Sequence, residues 1–260
     1  MITNLRSIWV WVAVIILIIV WVPLLTVIRI FDRDPAIYRT GRWFRRLGAA
    51  MTRVNPAWKI SLKGVPDPVI RRAMVVVSNH QSLADIPVIS LLPWEMKWVG
   101  KRALFSLPFV GWMMKLSGDI PLERGDARSG ARALVYAGRY LKHNCPVILF
   151  PEGTRSMDGR VGRFSDGPFH LAIASQVPVL PLVVDGSRDA LPKKDWRFGD
   201  ISKIRVVVLP EVPTAGLTRN DVPALRDRVR DMICAALAEG RGTSRASVDA
   251  LLPGTGNQIA

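Results

Sequence analysis

The stretch Asn79-His80-Gln81-Ser82-Leu83-Ala84-Asp85 sets a histidine five residues ahead of an aspartate. An imidazole takes up a proton near neutral pH. A carboxylate that accepts from one ring nitrogen fixes the tautomer and leaves the other nitrogen free to draw a proton from a hydroxyl. Residues five apart on a regular helix point about 140° away from each other, so His80 and Asp85 meet only where the chain turns between them. Ser82 as a cap, and Pro87 close to a helix start, supply that turn. A second cluster reads Phe150-Pro151-Glu152-Gly153-Thr154-Arg155-Ser156. The planar fork of Arg155 suits a phosphate, which it can grip with two parallel hydrogen bonds. Gly153 lets the backbone come close to a ligand. Glu152 either holds Arg155 in place or binds an acceptor hydroxyl. The plainer readings are a structural His–Asp pair and a solvated ion pair in a surface turn.

Each cluster follows a short apolar run. Candidate strands are Met74–Ser78, Val147–Phe150, Val179–Val184 and Ile204–Leu209, whose near-continuous apolar character suits strands buried on both faces. Helical patterns cover about 83–92, 106–117, 127–142, 167–175 and 221–239. The alternation predicts an α/β layered sandwich, a mostly parallel sheet flanked by helices. If the strands before the two clusters run parallel, both clusters emerge at one sheet edge, where open α/β sheets bind ligands.

With Gly118-Asp119-Ile120-Pro121-Leu122-Glu123-Arg124 and Val177-Pro178-Val179-Leu180-Pro181-Leu182, these two clusters make four ordered blocks. Together they resemble the glycerolipid (lysophospholipid) acyltransferase family, with its HX4D motif and FPEGTRS block, over roughly residues 60–210. The resemblance implies an acyl transfer from acyl-CoA or acyl carrier protein to the free hydroxyl of a lysophospholipid. The expected acceptor is 1-acyl-sn-glycerol-3-phosphate, giving phosphatidic acid; glycerol 3-phosphate and a lyso-aminolipid are the alternatives. His80 would be the general base and Asp85 its orienting partner. Arg124, Arg155, Glu152, Gly153, Thr154 and, more weakly, Lys101 would hold the acceptor. No metal or cofactor is implied. Oxyanion donors are expected from backbone amides near the His80 turn or the Gly153 loop. In one place the chain departs from the family pattern. Ser165 and Asp166 stand where positive charge is expected, so Arg160 or Arg163 must substitute or the acceptor must differ.

The formal charge of +15 calls for an anionic partner. Ile8 to Ile28 carries no charge and as a helix would run about 31 Å, close to one hydrocarbon core. Trp9, Trp11 and Trp21 lie towards its ends, and Pro23 leaves open whether it spans the membrane or dips in and returns. A basic amphipathic helix is expected next, with Ile37, Phe44, Leu47, Gly48 and Met51 on one face and Arg39, Arg42, Arg46 and Arg53 on the other. Such a helix suits the headgroup layer of an anionic bilayer or, less interestingly, docks on the domain. Arginine is richer after the apolar run than before it, which predicts the inner cell membrane with the bulk of the chain on the cytoplasmic side. The expected organisation is a membrane-anchoring helical segment over 1–58, an acyltransferase domain over 59–240 and a flexible tail over 241–260.

Cys145 and Cys234 read as small buried hydrophobes, His143 as a helix-ending cation and His170 as a packing residue. A serine-dependent lipid hydrolase or transacylase would favour a G-x-S-x-G elbow, which the sequence lacks. No nucleic-acid motif accompanies the charge. The expected partners are membrane lipids and the acyl donor.

Overall fold

A computed structural model describes residues 2–66, 70–192 and 195–252. The chain opens with α1 (Ile2–Phe31) and α2 (Tyr38–Val54), then β1 (Trp58–Lys63). Next come β2 (Val75–Ser78), α3 (Asp85–Ile89), β3 (Lys97–Lys101), α4 (Val110–Leu116), β4 (Ile120–Leu122), α5 (Ala127–Lys142) and β5 (Val147–Leu149). The last elements are α6 (Gly167–Ser175), β6 (Val179–Asp185), α7 (Ser187–Ala190), β7 (Ser202–Val208), α8 (Val222–Arg241) and α9 (Arg245–Val248).

The strands form one sheet in the order β1-β7-β6-β2-β5-β3-β4. Every neighbouring pair is parallel except β6 with β7. The mostly parallel layered architecture is therefore as expected, with β1 and β7 reversed relative to the rest. Val75 and Val77 of β2 face a core shared with Leu141, Phe169 and Val229, whereas Met74 and Val76 face a second core with Val88, Trp94 and Leu182. Burial on both faces explains the unbroken apolar runs. The strands β1, β3 and β4 were not foreseen. β1 alternates and is largely exposed, β3 contains two lysines and a glycine, and β4 is three residues long around Pro121.

The helix α1 runs unbroken through Pro23. Leu25 and Ile28 are buried, while Trp9, Ile15, Ile16, Ile19 and Ile30 stay exposed. Near its start, Arg6 donates to the Gly199 carbonyl at 2.5 Å and Trp11 Nε1 to that of Trp196 at 2.8 Å. Near its end, Leu25 packs with Leu47 and Met113. Asn4–Phe31 is long and apolar enough to cross a membrane, and only 6% of its most apolar window is buried. The helix nonetheless lies along the domain, docked near both ends.

In α2 the basic face is divided. Arg39, Arg46 and Arg53 are exposed, seven residues apart and so on one stripe, but Arg42 turns inward onto the carbonyls of Leu92 and Trp94. Arg45 is buried and bonds both oxygens of Asp119, at 2.9 and 2.7 Å. Glu95 approaches Arg45 at 3.6 Å, and Lys97 Nζ meets Glu95 at 3.1 Å and the Ser117 carbonyl at 2.7 Å. This buried set of four charges joins α2 to β3 and to the start of β4.

The expected loose tail is not loose over its described part. Residues 245–248 are helical, Val248 is buried, and Val161 pairs with Asp249. Residues 253–260 of that tail lie outside the described residues. Cys145 and Cys234 are both free thiols and buried. His143 caps the end of α5, but His170 is exposed rather than packed.

Candidate active site

β2, β3, β4 and β5 point the same way, so the segments that follow them gather at one edge of the sheet. His80 lies just beyond β2, and Asp85 opens α3. The chain turns between them so that His80 Nδ1 meets Asp85 Oδ2 at 2.7 Å. The same oxygen accepts the amides of Gln81, at 2.8 Å, and Ser82, at 3.0 Å. Two backbone amides already donate to that oxygen, which makes it an acceptor, so Nδ1 carries the proton and Nε2 is left as the basic nitrogen. Ser82 is not the cap of α3, whose N-cap is Ala84 without a side-chain bond, but it holds the turn: its Oγ accepts from the Ala84 amide and donates to the Leu191 carbonyl. Asn79 anchors the other side, exchanging two hydrogen bonds with the backbone of Val184.

Four amides of the His80 turn have acceptors within the protein. His80 N–H goes to Glu152, those of Gln81 and Ser82 to Asp85, and that of Ala84 to Ser82. These four amides are therefore committed to holding the turn.

Glu152 proves to be part of the turn. Its Oε1 accepts from His80 N at 2.8 Å and its Oε2 from Gly162 N at 2.8 Å. Burial pushes its carboxyl up to about 7, against the downward pull of those amides. The sequence offered no sign of the Gly162 contact, which depends on how a ten-residue loop closes.

A cavity of about 180 Å³ is lined by Lys101, Arg124, Leu122, Leu134, Phe150 and Gly153 among others, and neither His80 nor Asp85 is among its lining residues. Phe150 forms part of its wall and also carries the His80 ring, stacked at 4.0 Å between centroids. Lys101 and Arg124 are exposed at its rim. Gly153 has φ +68° and open space around it. Thr154 is exposed and Arg155 half-buried in the adjoining loop, and neither is among the lining residues.

Of the suggested replacements for the missing basic residues, Arg160 is committed elsewhere. It donates to the carbonyls of Ala246, Asp249 and Leu252. Arg163 is exposed. Ser165 lines the cavity, and Asp166 is paired with Arg226 at 2.7 Å. The serines nearest the motifs also have partners, Ser82 at Leu191 and Ser156 at Asp158.

One sheet edge thus carries the HX4D turn and the PEGTR loop, the two blocks by which the chain resembles the acyltransferase family. That family's model matches residues 61–185, and this domain belongs to it. The human 1-acyl-sn-glycerol-3-phosphate acyltransferase alpha is 41% identical over 176 residues, 65% of this chain and 61% of the human protein. The chloroplastic 1-acyl-sn-glycerol-3-phosphate acyltransferase LPAT1 of Arabidopsis thaliana is 34% identical over 67% of this chain and 49% of its own length. The chain thus spans 49% to 61% of the length of these two curated relatives. The crystal structure of the 1-acyl-sn-glycerophosphate acyltransferase PlsC from Thermotoga maritima superposes with a TM-score of 0.78 at 25% identity, over 93% of this chain and 97% of that one.

Proposed function

We propose that the protein transfers a fatty acyl group from a thioester donor, acyl-CoA or acyl carrier protein, to the free hydroxyl of 1-acyl-sn-glycerol-3-phosphate, forming phosphatidic acid. The observation that carries this reading is the His80–Asp85 hydrogen bond of 2.7 Å, with the imidazole stacked on Phe150, a wall residue of the cavity that Lys101 and Arg124 rim. The names of the relatives above support the acceptor.

In this reading His80 Nε2 takes the hydroxyl proton as the oxygen attacks the thioester carbonyl. The tetrahedral intermediate collapses, the carbon–sulfur bond breaks, and the imidazolium returns its proton to the leaving thiolate. Asp85 stabilises the imidazolium between the two transfers. Lys101, Arg124 and Arg155 attract the acceptor phosphate, and the apolar wall from Leu122 to Leu134 accommodates an acyl chain. The exposed apolar residues of α1 and the exposed Arg39, Arg46 and Arg53 of α2 support association with an anionic membrane surface. The docking of α1 near both ends favours a helix lying in the interface over one that crosses it. The arginine distribution favours the cytoplasmic side of the inner membrane.

Mass spectrometry of products formed from a panel of lysolipids, glycerol 3-phosphate and both donor types tests the proposal. Phosphatidic acid as the main product is expected. A diacyl product from a different lysolipid alone, or free fatty acid without transfer, would overturn it.

A further inference from the structure

Arg230 lies on α8, outside the span matched by the family model. It is 5% exposed, and four hydrogen bonds hold its guanidinium. Nε donates to the Gly162 carbonyl at 2.8 Å and Nη2 to that of Val161 at 2.9 Å. Nη1 meets Asp249 Oδ2 at 3.0 Å, and Nη2 closes a second contact with Asp249 Oδ1. The C-terminal segment grips the same loop from the other side. Val161 N donates to the Val248 carbonyl at 2.7 Å, and Ala250 N to that of Val161 at 3.0 Å.

The residues held in this way are those that reach the site. Gly162 N–H is the donor to Glu152 Oε2, and Glu152 Oε1 takes the amide of His80. A Cβ on Gly162 would stand 3.2 Å from Glu152 Oε2, so the approach is tight. Hydrogen bonds therefore run without a break from Asp249 through Arg230, the Val161–Gly162 loop and Glu152 to the backbone from which the imidazole projects.

We propose that Arg230, oriented by Asp249, is a positioning residue for the transfer reaction: it aims the Gly162 amide at Glu152 and thereby fixes His80. The inference rests on the acyltransferase reading above. A buried ion pair is often dispensable for stability when apolar groups replace it, whereas holding a loop in one geometry needs several directed bonds at once. Displacing a reacting group by about 1 Å can cost on the order of 10²-fold in rate.

The test uses the full chain on anionic vesicles with lysophosphatidic acid and whichever thioester donor the wild type turns over. In Arg230→Gln and Asp249→Asn, kcat is expected to fall roughly 10- to 100-fold, with the acceptor KM within about twofold and cooperative unfolding retained. Ethylguanidinium added to Arg230→Ala is expected to restore part of the rate, as a purely structural loss would not allow. Wild-type kcat in the folded variants, or a loss that only follows the folded fraction, would overturn the inference. If Arg230→Gln does not fold, Asp249→Asn decides by the same criteria. His80→Ala is assayed in parallel to separate the two claims. Full activity there sinks the mechanism itself, whereas an inactive His80→Ala beside unchanged Arg230 and Asp249 variants sinks only the positioning role.

Discussion

The imidazole of His80 lies flat on the ring of Phe150, with centroids 4.0 Å apart and planes 17° apart. The two residues are seventy positions apart in the chain, but each stands at the end of its strand. β2 and β5 are paired in register, Val77 opposite Leu149, so the next residues emerge side by side. Phe150 fixes the imidazole plane from below, and Asp85 fixes its rotation from the side.

This arrangement makes the base sensitive to either support. His80→Ala is expected to lower kcat on the order of 10²–10⁴-fold, the usual range for general base catalysis. Asp85→Asn removes the acceptor charge that receives Nδ1–H and two amides, so it should lose a similar factor. Steady-state rates at saturating acceptor check both, with vesicle co-sedimentation expected to be unchanged.

Glu152 should leave a signature in the pH dependence of stability. Its carboxyl titrates at about 7 when folded against 4.5 ordinarily. Between those values the folded state holds a proton that the unfolded chain has released, so stability falls as pH rises through the window. Relative to Glu152→Gln, the wild type should lose up to about 3 kcal/mol from pH ~4.5 to ~7 and change little above it. Urea unfolding at a series of pH values measures this, and parallel curves for the two proteins would contradict it.

The buried charges beneath α2 predict a large stability effect away from the site. Asp119 accepts both Arg45 Nη2 contacts and the amide of Trp98. Asp119→Ala leaves Arg45 buried without that partner, and a cost of about 3–5 kcal/mol is expected. Denaturant midpoints report it. A change below about 1 kcal/mol would mean that water or relaxation satisfies the guanidinium.

The two thiols should be inert in the folded protein. Burial raises the Cys145 thiol to about 12 and that of Cys234 to about 11. At pH 8 neither supplies much thiolate, the reactive form. A chromogenic disulfide reagent is expected to release little signal until denaturant is added, then to titrate both cysteines. Rapid labelling of the native chain would show that one of them opens to solvent.

Much of the site could be read from the residues in order. The HX4D turn, the PEGTR loop and the four most apolar strands carry local signals: a polar cluster after a β-branched run, or an apolar run too continuous for a surface. β3 and β4 carry none, since Lys97 is buried only because Glu95 and the Ser117 carbonyl happen to receive it. Arg124 therefore had a motif behind it and Lys101 only a short apolar stretch before it, and neither had a visible scaffold. The same holds for Arg160, which looked available for substrate but is consumed by three carbonyls of the C-terminal segment.

By itself, the sequence determined the candidate reacting groups, the strand-and-helix alternation and the apolar N-terminal helix, because these follow from residue type and short-range periodicity. Tertiary structure alone decided which acceptor each donor would find. Glu152 serves the His80 and Gly162 amides, Arg230 and Asp249 reach in from beyond the family domain, and α1 lies against the domain near both ends. Those pairings join residues distant along the chain, and no local pattern encodes which two of many compatible polar groups the folded core will bring together.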